Sequence, residues 1–269
     1  MSESKAENPY ITARHDEPEM AAQERNRAWW QALPMTYEGW DKSDRTTTRE
    51  VATKKFLEGN PWLDRQFFTR FAGKRVLEIG CGSGAASCLF AEGGAKVTSI
   101  DLTPAAVEMT RQNSAGLDVE VFEMDAEAQQ FPDATFDYVF SWGVLHHSSN
   151  ADKAFAEVRR VLKPGGSGLL MVYNRLSLRY YLKGLKWLVL RGRMFRGDSF
   201  ASVQRFFTDG YYHRHFTPRE FQLALRGLNV TRISISHMAH RMIPGTPAWL
   251  DRFLKRKYGW LLIAEFTRP

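Results

Sequence analysis

The residues best suited to chemistry in this chain are three glycines that interrupt an apolar run, Gly80, Gly82 and Gly84. Glycine adopts backbone angles that other residues avoid and has no Cβ, so its main chain can approach a ligand closely. A strand-to-helix turn built this way also presents backbone N–H groups to a ligand. Asp101 ends the next apolar run, where a carboxylate can accept hydrogen bonds from ribose hydroxyls. Together these residues predict a site for a nucleoside-bearing cofactor.

Two classes of cofactor suit this arrangement, nicotinamide dinucleotides and S-adenosylmethionine, and the glycine spacing alone does not separate them. Glu78 lies two residues before the first glycine, where an acidic group would repel a pyrophosphate but suits the ammonium group of S-adenosylmethionine. Asp125 closes a third apolar run, at a place suited to the adenine amino group. These two carboxylates favour S-adenosylmethionine. A nicotinamide-dependent oxidoreductase remains the alternative.

Two more segments follow in order, Phe136 to Trp142 and Val161 to Gly166. From about Arg75 to Tyr173 the ordered set resembles the class I S-adenosylmethionine-dependent methyltransferases. The resemblance implies cofactor contacts from the glycine turn and from residues at the ends of the strands: Glu78, Gly80, Cys81, Gly82, Asp101, Leu102, Asp125, Ala126, Ser141 and Trp142. It also implies methyl transfer from S-adenosyl-L-methionine, with a non-catalytic cofactor-binding subunit as a further alternative.

Apolar runs alternate with helical segments through the middle of the chain, as a parallel sheet with two covered faces requires. The sequence therefore predicts an α/β, Rossmann-like methyltransferase fold with a mostly parallel, seven-stranded sheet. In the resembling family the last two strands form a hairpin whose reversed strand lies at the sheet edge. We expect a flexible N-terminus over 1–18, a helical lid over 19–72, and the methyltransferase domain over 73–269 with a helical insertion at 175–216. Tyr37 in the lid is expected to contact the cofactor.

Methyl transfer from a sulfonium requires alignment of donor and acceptor, and in many cases removal of a proton from the acceptor. The candidate bases are histidines. His146 and His147 follow the fourth strand, at the carboxyl edge where open α/β sheets bind ligands. His213 and His215 lie between the insertion and the next helix. Because no clustered carboxylate accompanies them at ligand spacing, we expect no metal site.

The net charge of +7 is unevenly distributed, with no acidic residue between Val158 and Gly197. A helical stretch from Leu176 to Met194 places leucines on one stripe. Basic side chains flank this stripe: Arg179, Lys183 and Lys186. The segment at 175–196 is therefore predicted to be a basic amphipathic helix. It could contact an anionic membrane surface, cover an anionic acceptor, or dock with its charges in water.

The aromatic and leucine content of the lid favours a small-molecule or lipid-associated acceptor that is apolar or amphiphilic. We expect O-methylation, with C-, N- and S-methylation as alternatives. No recognised nucleic-acid-binding module occurs, so no nucleic-acid partner is expected. Cys81 and Cys88 have no redox or metal spacing, and no apolar leader or membrane span is visible. These features predict a cytoplasmic protein, peripheral to a membrane if it contacts one.

Overall fold

The computed structural model describes residues 19–32, 47–200, 202–208, 210–237, 241–243 and 245–269. Within these ranges seven strands form one sheet in the order β3-β2-β1-β4-β5-β7-β6. The strands are Arg75–Ile79 (β1), Lys96–Asp101 (β2), Val119–Glu123 (β3), Phe136–Trp142 (β4), Leu162–Tyr173 (β5), Asn229–Ser236 (β6) and Leu261–Thr267 (β7). Strands β1 to β5 pair in parallel, while β7 is antiparallel to both of its neighbours, β5 and β6.

Helices connect the strands and cover both faces of the sheet. They are Glu19–Ala32 (α1), Arg49–Gly59 (α2), Arg65–Thr69 (α3), Ala85–Glu92 (α4), Pro104–Asn113 (α5), Ala151–Val161 (α6), Leu178–Leu185 (α7), Pro218–Ala224 (α8) and Ala248–Tyr258 (α9). The predicted α/β, Rossmann-like fold with a mostly parallel seven-stranded sheet is confirmed. Among the described residues, no helix combines the length and the apolar character that crossing a bilayer requires.

The expected position of the reversed strand is wrong. The antiparallel strand β7 lies inside the sheet, between β5 and β6, and β6 forms the edge. Burial gives the physical reason: β7 is buried along most of its length, whereas β6 is mostly half-buried or exposed. A strand covered on both faces needs a nearly continuous apolar run, which residues 261–264 supply.

Alternate side chains of each central strand enter two different cores, as the two-residue period of a strand requires. On one face Val76 and Phe140 pack with α2, α3 and α4, around Phe68 and Phe90. On the other face Leu77 and its neighbours pack beneath α6 and α8. The sheet is therefore fixed from both sides, and the loops at the carboxyl ends of its strands sit on a rigid support.

The insertion after β5 is less regular than the predicted helix from Leu176 to Met194. Helix α7 ends at Leu185, a π-helical turn spans Lys186–Leu190, and a 3-10 turn spans Arg193–Arg196. Gly192 caps the start of this 3-10 turn. Its φ of 64° lies in the left-handed region that favours glycine. The region between the last two strands contains α9.

Candidate active site

The glycine turn connects β1 to α4 at the carboxyl edge of the sheet. Gly80, Gly82 and Gly84 all have positive φ, at 79°, 54° and 74°. A Cβ added to Gly80 would lie 2.2 Å from a methyl group of Val144, and one added to Gly84 would lie 2.9 Å from Thr110. Glycine is thus required at these positions by backbone angle and by packing. The turn brings the main chain close to the end of β4.

Asp101 ends β2 beside this turn, and its carboxylate is already well supplied with donors. Oδ2 accepts from the backbone N–H of Gly82 at 3.1 Å. Oδ1 accepts from both the backbone N–H and the hydroxyl of Thr103, each at 3.0 Å. Burial raises the pKa of Asp101, and these donors oppose the effect. The carboxylate is held rigidly where a ribose hydroxyl could donate to it, with Leu102 as the next residue along the loop.

Asp125 follows β3 and meets the N-terminal helix α1. Its Oδ1 accepts from the side-chain amide of Gln23 at 2.9 Å and from the backbone N–H of Glu127 at 2.8 Å. Ala126 lies between these two loop residues. The contact places α1 over the loop that is predicted to bind the adenine amino group.

Helix α1 also reaches the loops after β2 and β4. Gln31 accepts from the backbone N–H of Ala105 at 3.2 Å, and Asn26 donates to the carbonyl of His147 at 2.9 Å. The Trp30 ring packs edge-on against the His147 ring, 5.0 Å away. With the Gln23 contact, α1 therefore lies across the carboxyl edge from β3 to β4. Tyr37, the predicted lid contact, lies outside the described residues.

Glu78 is buried behind the glycine turn, where it accepts a hydrogen bond from the Ser87 hydroxyl of α4. The Ser99 hydroxyl lies 2.8 Å from the same Ser87 oxygen. Burial raises the pKa of Glu78 to about 8. Its contact with the ammonium group of a cofactor stays a prediction, because the side chain is directed toward α4.

The remaining predicted cofactor residues have structural partners of their own. The Ser141 hydroxyl is buried and donates to the carbonyl of Ile79 at 3.0 Å, which ties β4 to β1. Cys81 is buried, and burial raises the pKa of its thiol. The Trp142 ring stacks on Phe140 with their planes 7° apart. Any cofactor contacts from these three residues stay predictions.

The structure brings the two predicted histidine pairs together, and we call them the histidine cluster: His146, His147, His213 and His215. The rings of His146 and His147 are 4.0 Å apart, and those of His213 and His215 are 5.7 Å apart. Tyr173, at the end of β5, contacts the rings of His146, His147 and His215 at 4.0, 5.5 and 5.9 Å. The cluster lies at the carboxyl ends of β4 and β5.

Backbone pairing accounts for this meeting of distant residues. The N–H of Arg214 donates to the carbonyl of His146 at 2.8 Å. The N–H of Phe216 donates to the carbonyl of Tyr173 at 2.9 Å. These two hydrogen bonds hold the segment that carries His213 and His215 against the carboxyl ends of β4 and β5.

Aromatic rings extend the cluster toward β7 and α7. The His215 ring lies 5.0 Å from Trp260 and 4.9 Å from Tyr180. Trp260 precedes β7, which pairs with β5, so the unexpected strand order brings this ring to the site. Sequence reasoning missed Trp260 for that reason, and the apolar run at 261–264, which marks β7 as an inner strand, was the signal that could have placed it. Tyr173 was missed because its meeting with the histidines depends on the backbone pairing of Phe216.

The protonation state of His147 follows from its hydrogen bond. Its Nδ1 lies 2.8 Å from the carbonyl oxygen of Tyr212. A carbonyl oxygen only accepts, so Nδ1 carries the proton and Nε2 of the neutral ring presents a lone pair. Burial lowers the pKa of His147 to about 3, so the ring is neutral at physiological pH.

The other rings of the histidine cluster are also neutral. Burial lowers the pKa of His213 to about 4 and those of His146 and His215 well below the usual range. Several buried nitrogens have no hydrogen-bond partner among the described residues: Nδ1 and Nε2 of His146, Nε2 of His147, Nδ1 of His213 and Nε2 of His215. A buried polar group left unpaired costs about 1 to 3 kcal/mol. This concentration marks a place that suits the polar groups of a ligand.

No group of three or more metal-ligating side chains with suitable geometry occurs in the part of the chain that the structure describes.

The candidate site has two sides. One side holds the glycine turn and two loop carboxylates, and the other holds the neutral histidine cluster among aromatic rings. Both lie at the carboxyl edge of the sheet, where open α/β folds bind ligands.

Comparison with known proteins identifies the class. Residues 77–170 match the model of a family described as a methyltransferase domain. Residues 77–170 therefore carry a methyltransferase domain, and the sheet around them has the Rossmann-like class I fold. The class also resolves the cofactor choice that the glycine turn left open, in favour of S-adenosylmethionine. The open main chain of the glycine turn and the accepting carboxylate of Asp101 suit the amino-acid and ribose parts of that cofactor.

The relatives are similar over part of their length. A ubiquinone biosynthesis O-methyltransferase from Pseudomonas entomophila is 35% identical over 142 residues, which are 50% of this chain and 60% of the relative. The protein of the same name from Pseudomonas aeruginosa is 35% identical over 140 residues, 49% of this chain and 59% of the relative. The chain thus matches about 60% of the length of these curated relatives.

Solved structures share the fold at low identity. An S-adenosylmethionine-dependent methyltransferase from Mesorhizobium loti superposes with a TM-score of 0.53 at 18% identity, covering 82% of this chain and 100% of that one. The cyclase SpnF superposes with a TM-score of 0.53 at 16% identity, covering 93% and 94%. These likenesses show the fold alone. The choice of acceptor has to be argued from the site.

Proposed function

We propose that this chain transfers the methyl group of S-adenosylmethionine to a hydroxyl oxygen of a small, apolar or amphiphilic acceptor. The observation that carries the proposal is the unpartnered Nε2 of the neutral His147 ring, buried among aromatic rings at the same edge of the sheet as the glycine turn. Two relatives named as O-methyltransferases support oxygen as the accepting atom. Transfer to carbon, nitrogen or sulfur is the alternative.

When bound, the cofactor supplies an electrophilic methyl group on a sulfonium. His147 accepts a hydrogen bond from the acceptor hydroxyl at Nε2, which orients the oxygen lone pair. The Tyr212 carbonyl holds the ring in the tautomer that this requires. Because burial lowers the pKa of His147 to about 3, the ring stays neutral and acts by positioning the hydroxyl. The hydroxyl proton is released to solvent as the oxygen takes the methyl group.

The walls of the proposed acceptor site suit an aromatic ring. Tyr173, Tyr180 and Trp260 surround His215, and Trp30 covers His147 from the lid side. Aromatic side chains bind flat apolar groups through offset and edge-on contacts worth about 0.5 to 1.5 kcal/mol per pair beyond area burial. The proposed acceptor is therefore a hydroxylated aromatic ring, such as a catechol.

Helix α1 is the proposed lid in the domain arrangement 19–72 and 73–269. Its contacts with Asp125, Ala105 and His147 span both the adenine side and the histidine side of the edge. A cover of this kind excludes water from the reacting oxygen and holds donor and acceptor in line.

The experiment is transfer of labelled methyl from S-adenosylmethionine to matched acceptors, with products identified by mass spectrometry. We expect 4-alkylcatechols to give monomethyl ethers and the corresponding anilines and thiophenols to react far more slowly. Preferential methylation of nitrogen, sulfur or ring carbon would overturn the assignment of oxygen. Absence of transfer to all of these acceptors would contradict the proposal as a whole.

We also propose that residues 175–196 contact an anionic membrane surface, which would deliver a lipid-associated acceptor. Leu190 is 80% exposed and Phe195 is 85% exposed, and both lie in a stretch without acidic residues. Large exposed apolar side chains beside basic ones are typical of membrane-surface segments. Lys183 and Lys186 are the flanking cations.

Sedimentation with vesicles tests this contact. Replacing Leu190 and Phe195 by Ser should weaken binding to phosphatidylglycerol vesicles, and replacing Lys183 and Lys186 by Gln should weaken it by about 1 kcal/mol per charge at low salt. Leu223→Ser is the matched control, because Leu223 is 70% exposed on α8, outside the segment. Equal binding by all variants would contradict the membrane contact.

A further inference from the structure

Arg179 differs from the other basic residues of the insertion. The sequence places it with Lys183 and Lys186 along an exposed flank, but the structure turns it inward. Its guanidinium carbon lies 5.2 Å from the centre of the Trp260 ring, within cation–π range. Arg179 therefore belongs to the wall of the aromatic cluster around His215 and is only half-buried, whereas Lys186 is exposed.

The guanidinium of Arg179 has no counter-ion among the described residues. Its Nε is buried and has no hydrogen-bond partner there. Two other arginines of the region are paired: Arg175 meets Glu220 at 2.6 Å, and Arg193 meets Asp198 at 2.7 Å. Arg191 and Arg196 have no ion pair among the described residues, but both are exposed to solvent. A buried N–H of a charged group left without an acceptor is costly, and a ligand anion would offset that cost.

His215 links this cation to the histidine cluster. Its ring contacts Trp260, the ring under Arg179, and its Nε2 also has no partner. Burial holds the pKa of His215 low, and the neighbouring histidines, Arg175 and then Arg179 add smaller effects in the same direction. The two unpartnered groups thus lie on one aromatic wall, separated from His147 by Tyr173.

We infer that Arg179 forms an anion subsite for the acceptor, so the preferred acceptor is a hydroxylated aromatic ring that carries a carboxylate. The carboxylate pairs with the guanidinium, the ring packs against the aromatic wall, and the hydroxyl reaches His147. Arginine suits this task because its charge is permanent and its planar donors match a carboxylate. The inference rests on the proposed function only in using the histidine cluster as the acceptor site.

Calorimetry on the full chain saturated with S-adenosylhomocysteine tests the subsite without any methyl transfer. The probes are 3,4-dihydroxybenzoate and its neutral analogue 3,4-dihydroxybenzamide. Wild type should bind the benzoate more tightly. Arg179→Met should weaken benzoate binding about tenfold or more while leaving benzamide binding nearly unchanged. Lys186→Met removes the same charge from an exposed position of the same segment and should behave as wild type.

Several outcomes would overturn the subsite. They are failure of the benzoate to bind wild type, equal affinity for the two probes, or equal loss of both probes in Arg179→Met. Arg179→Lys covers the case in which the methionine variant does not fold: it keeps the charge but loses Nε, and should still weaken the benzoate selectively. Failure of the proposed function is distinguishable, because a benzoate preference that depends on Arg179 can be measured in a chain that methylates no acceptor.

Discussion

The two sides of the site differ in how their polar groups are satisfied. On the cofactor side, Asp101 has three protein donors, Ser141 is tied to Ile79, and Glu78 is paired with Ser87. On the acceptor side, five ring nitrogens of the histidine cluster and Nε of Arg179 have no partner among the described residues. The polar groups of the cofactor side are thus satisfied within the protein, whereas the acceptor side keeps buried polar atoms with which the proposed acceptor would pair. Substitutions should therefore damage the fold on one side and chemistry on the other.

The largest effect is expected at Gly80. Gly80→Ala combines a left-handed φ with a Cβ 2.2 Å from Val144, so it should destabilise the fold by about 3 kcal/mol or more and remove cofactor binding with it. Gly116→Ala is the matched control, because Gly116 has a φ of 80° but nothing within 4 Å of the added Cβ. It should cost only about 1 to 2 kcal/mol. Equal losses in urea unfolding would show that the packing at Gly80 is not what requires glycine.

On the acceptor side, His147→Phe keeps an aromatic ring against Trp30 and Tyr173 but removes the Nε2 lone pair. The turnover number for methyl transfer to a catechol should fall about 100-fold, because the acceptor hydroxyl loses the hydrogen bond that orients it. Cofactor affinity should be kept, while stability should fall by about 1 to 3 kcal/mol, because the Tyr212 carbonyl loses its donor at Nδ1. His213→Phe is the comparison from the same cluster and should have a smaller effect. A larger loss in His213→Phe would assign the positioning of the hydroxyl to His213.

Asp101→Ala should weaken binding of S-adenosylhomocysteine by about 1.5 to 3 kcal/mol, tenfold or more, because a ribose hydroxyl loses its acceptor. The N–H of Gly82 and that of Thr103 also lose their acceptor, so some stability is lost as well. Calorimetry gives the affinity and thermal unfolding the stability. Unchanged affinity in a folded variant would contradict the ribose assignment.

Glu78 gives the cofactor side a pH dependence of its own. Its pKa is about 8 in the folded chain, above the ordinary value near 4.5, so the folded state holds the proton more tightly. This contribution to stability is present below about pH 4.5 and is lost as pH rises toward 8, with a slope of about 1.4 kcal/mol per pH unit. Glu78→Gln keeps a neutral group there and should remove that slope. If the free energy of unfolding changes with pH equally in wild type and in Glu78→Gln between pH 5 and 8, the buried Glu78 carboxyl is not neutral.

The contrast also explains what the sequence could predict. The cofactor side is local: Gly80, Gly82 and Asp101 lie on one strand–helix–strand unit, so their spacing along the chain fixes their meeting in space. The acceptor side depends on pairings across the chain, such as Phe216 with Tyr173 and β7 with β5. Histidine positions were visible in the sequence, but their joint burial was not. Arg179 packs inward because its guanidinium lies over the Trp260 ring. The position of Trp260 could be predicted only from the order of the strands in the sheet.

The central claim is that an acceptor hydroxyl pairs with Nε2 of His147. Nitrogen NMR of the histidine rings, in the full chain bound to S-adenosylhomocysteine, tests it most directly. Without acceptor, His147 should show a protonated Nδ1 and an unprotonated Nε2, unchanged from pH 5 to 8 because its pKa is about 3. On addition of 3,4-dihydroxybenzoate, the Nε2 resonance of His147 should shift upfield as it accepts a hydrogen bond, while Nδ1 stays protonated. A His147 that titrates near neutral pH, or an Nε2 resonance that does not move when the catechol binds, would contradict the account.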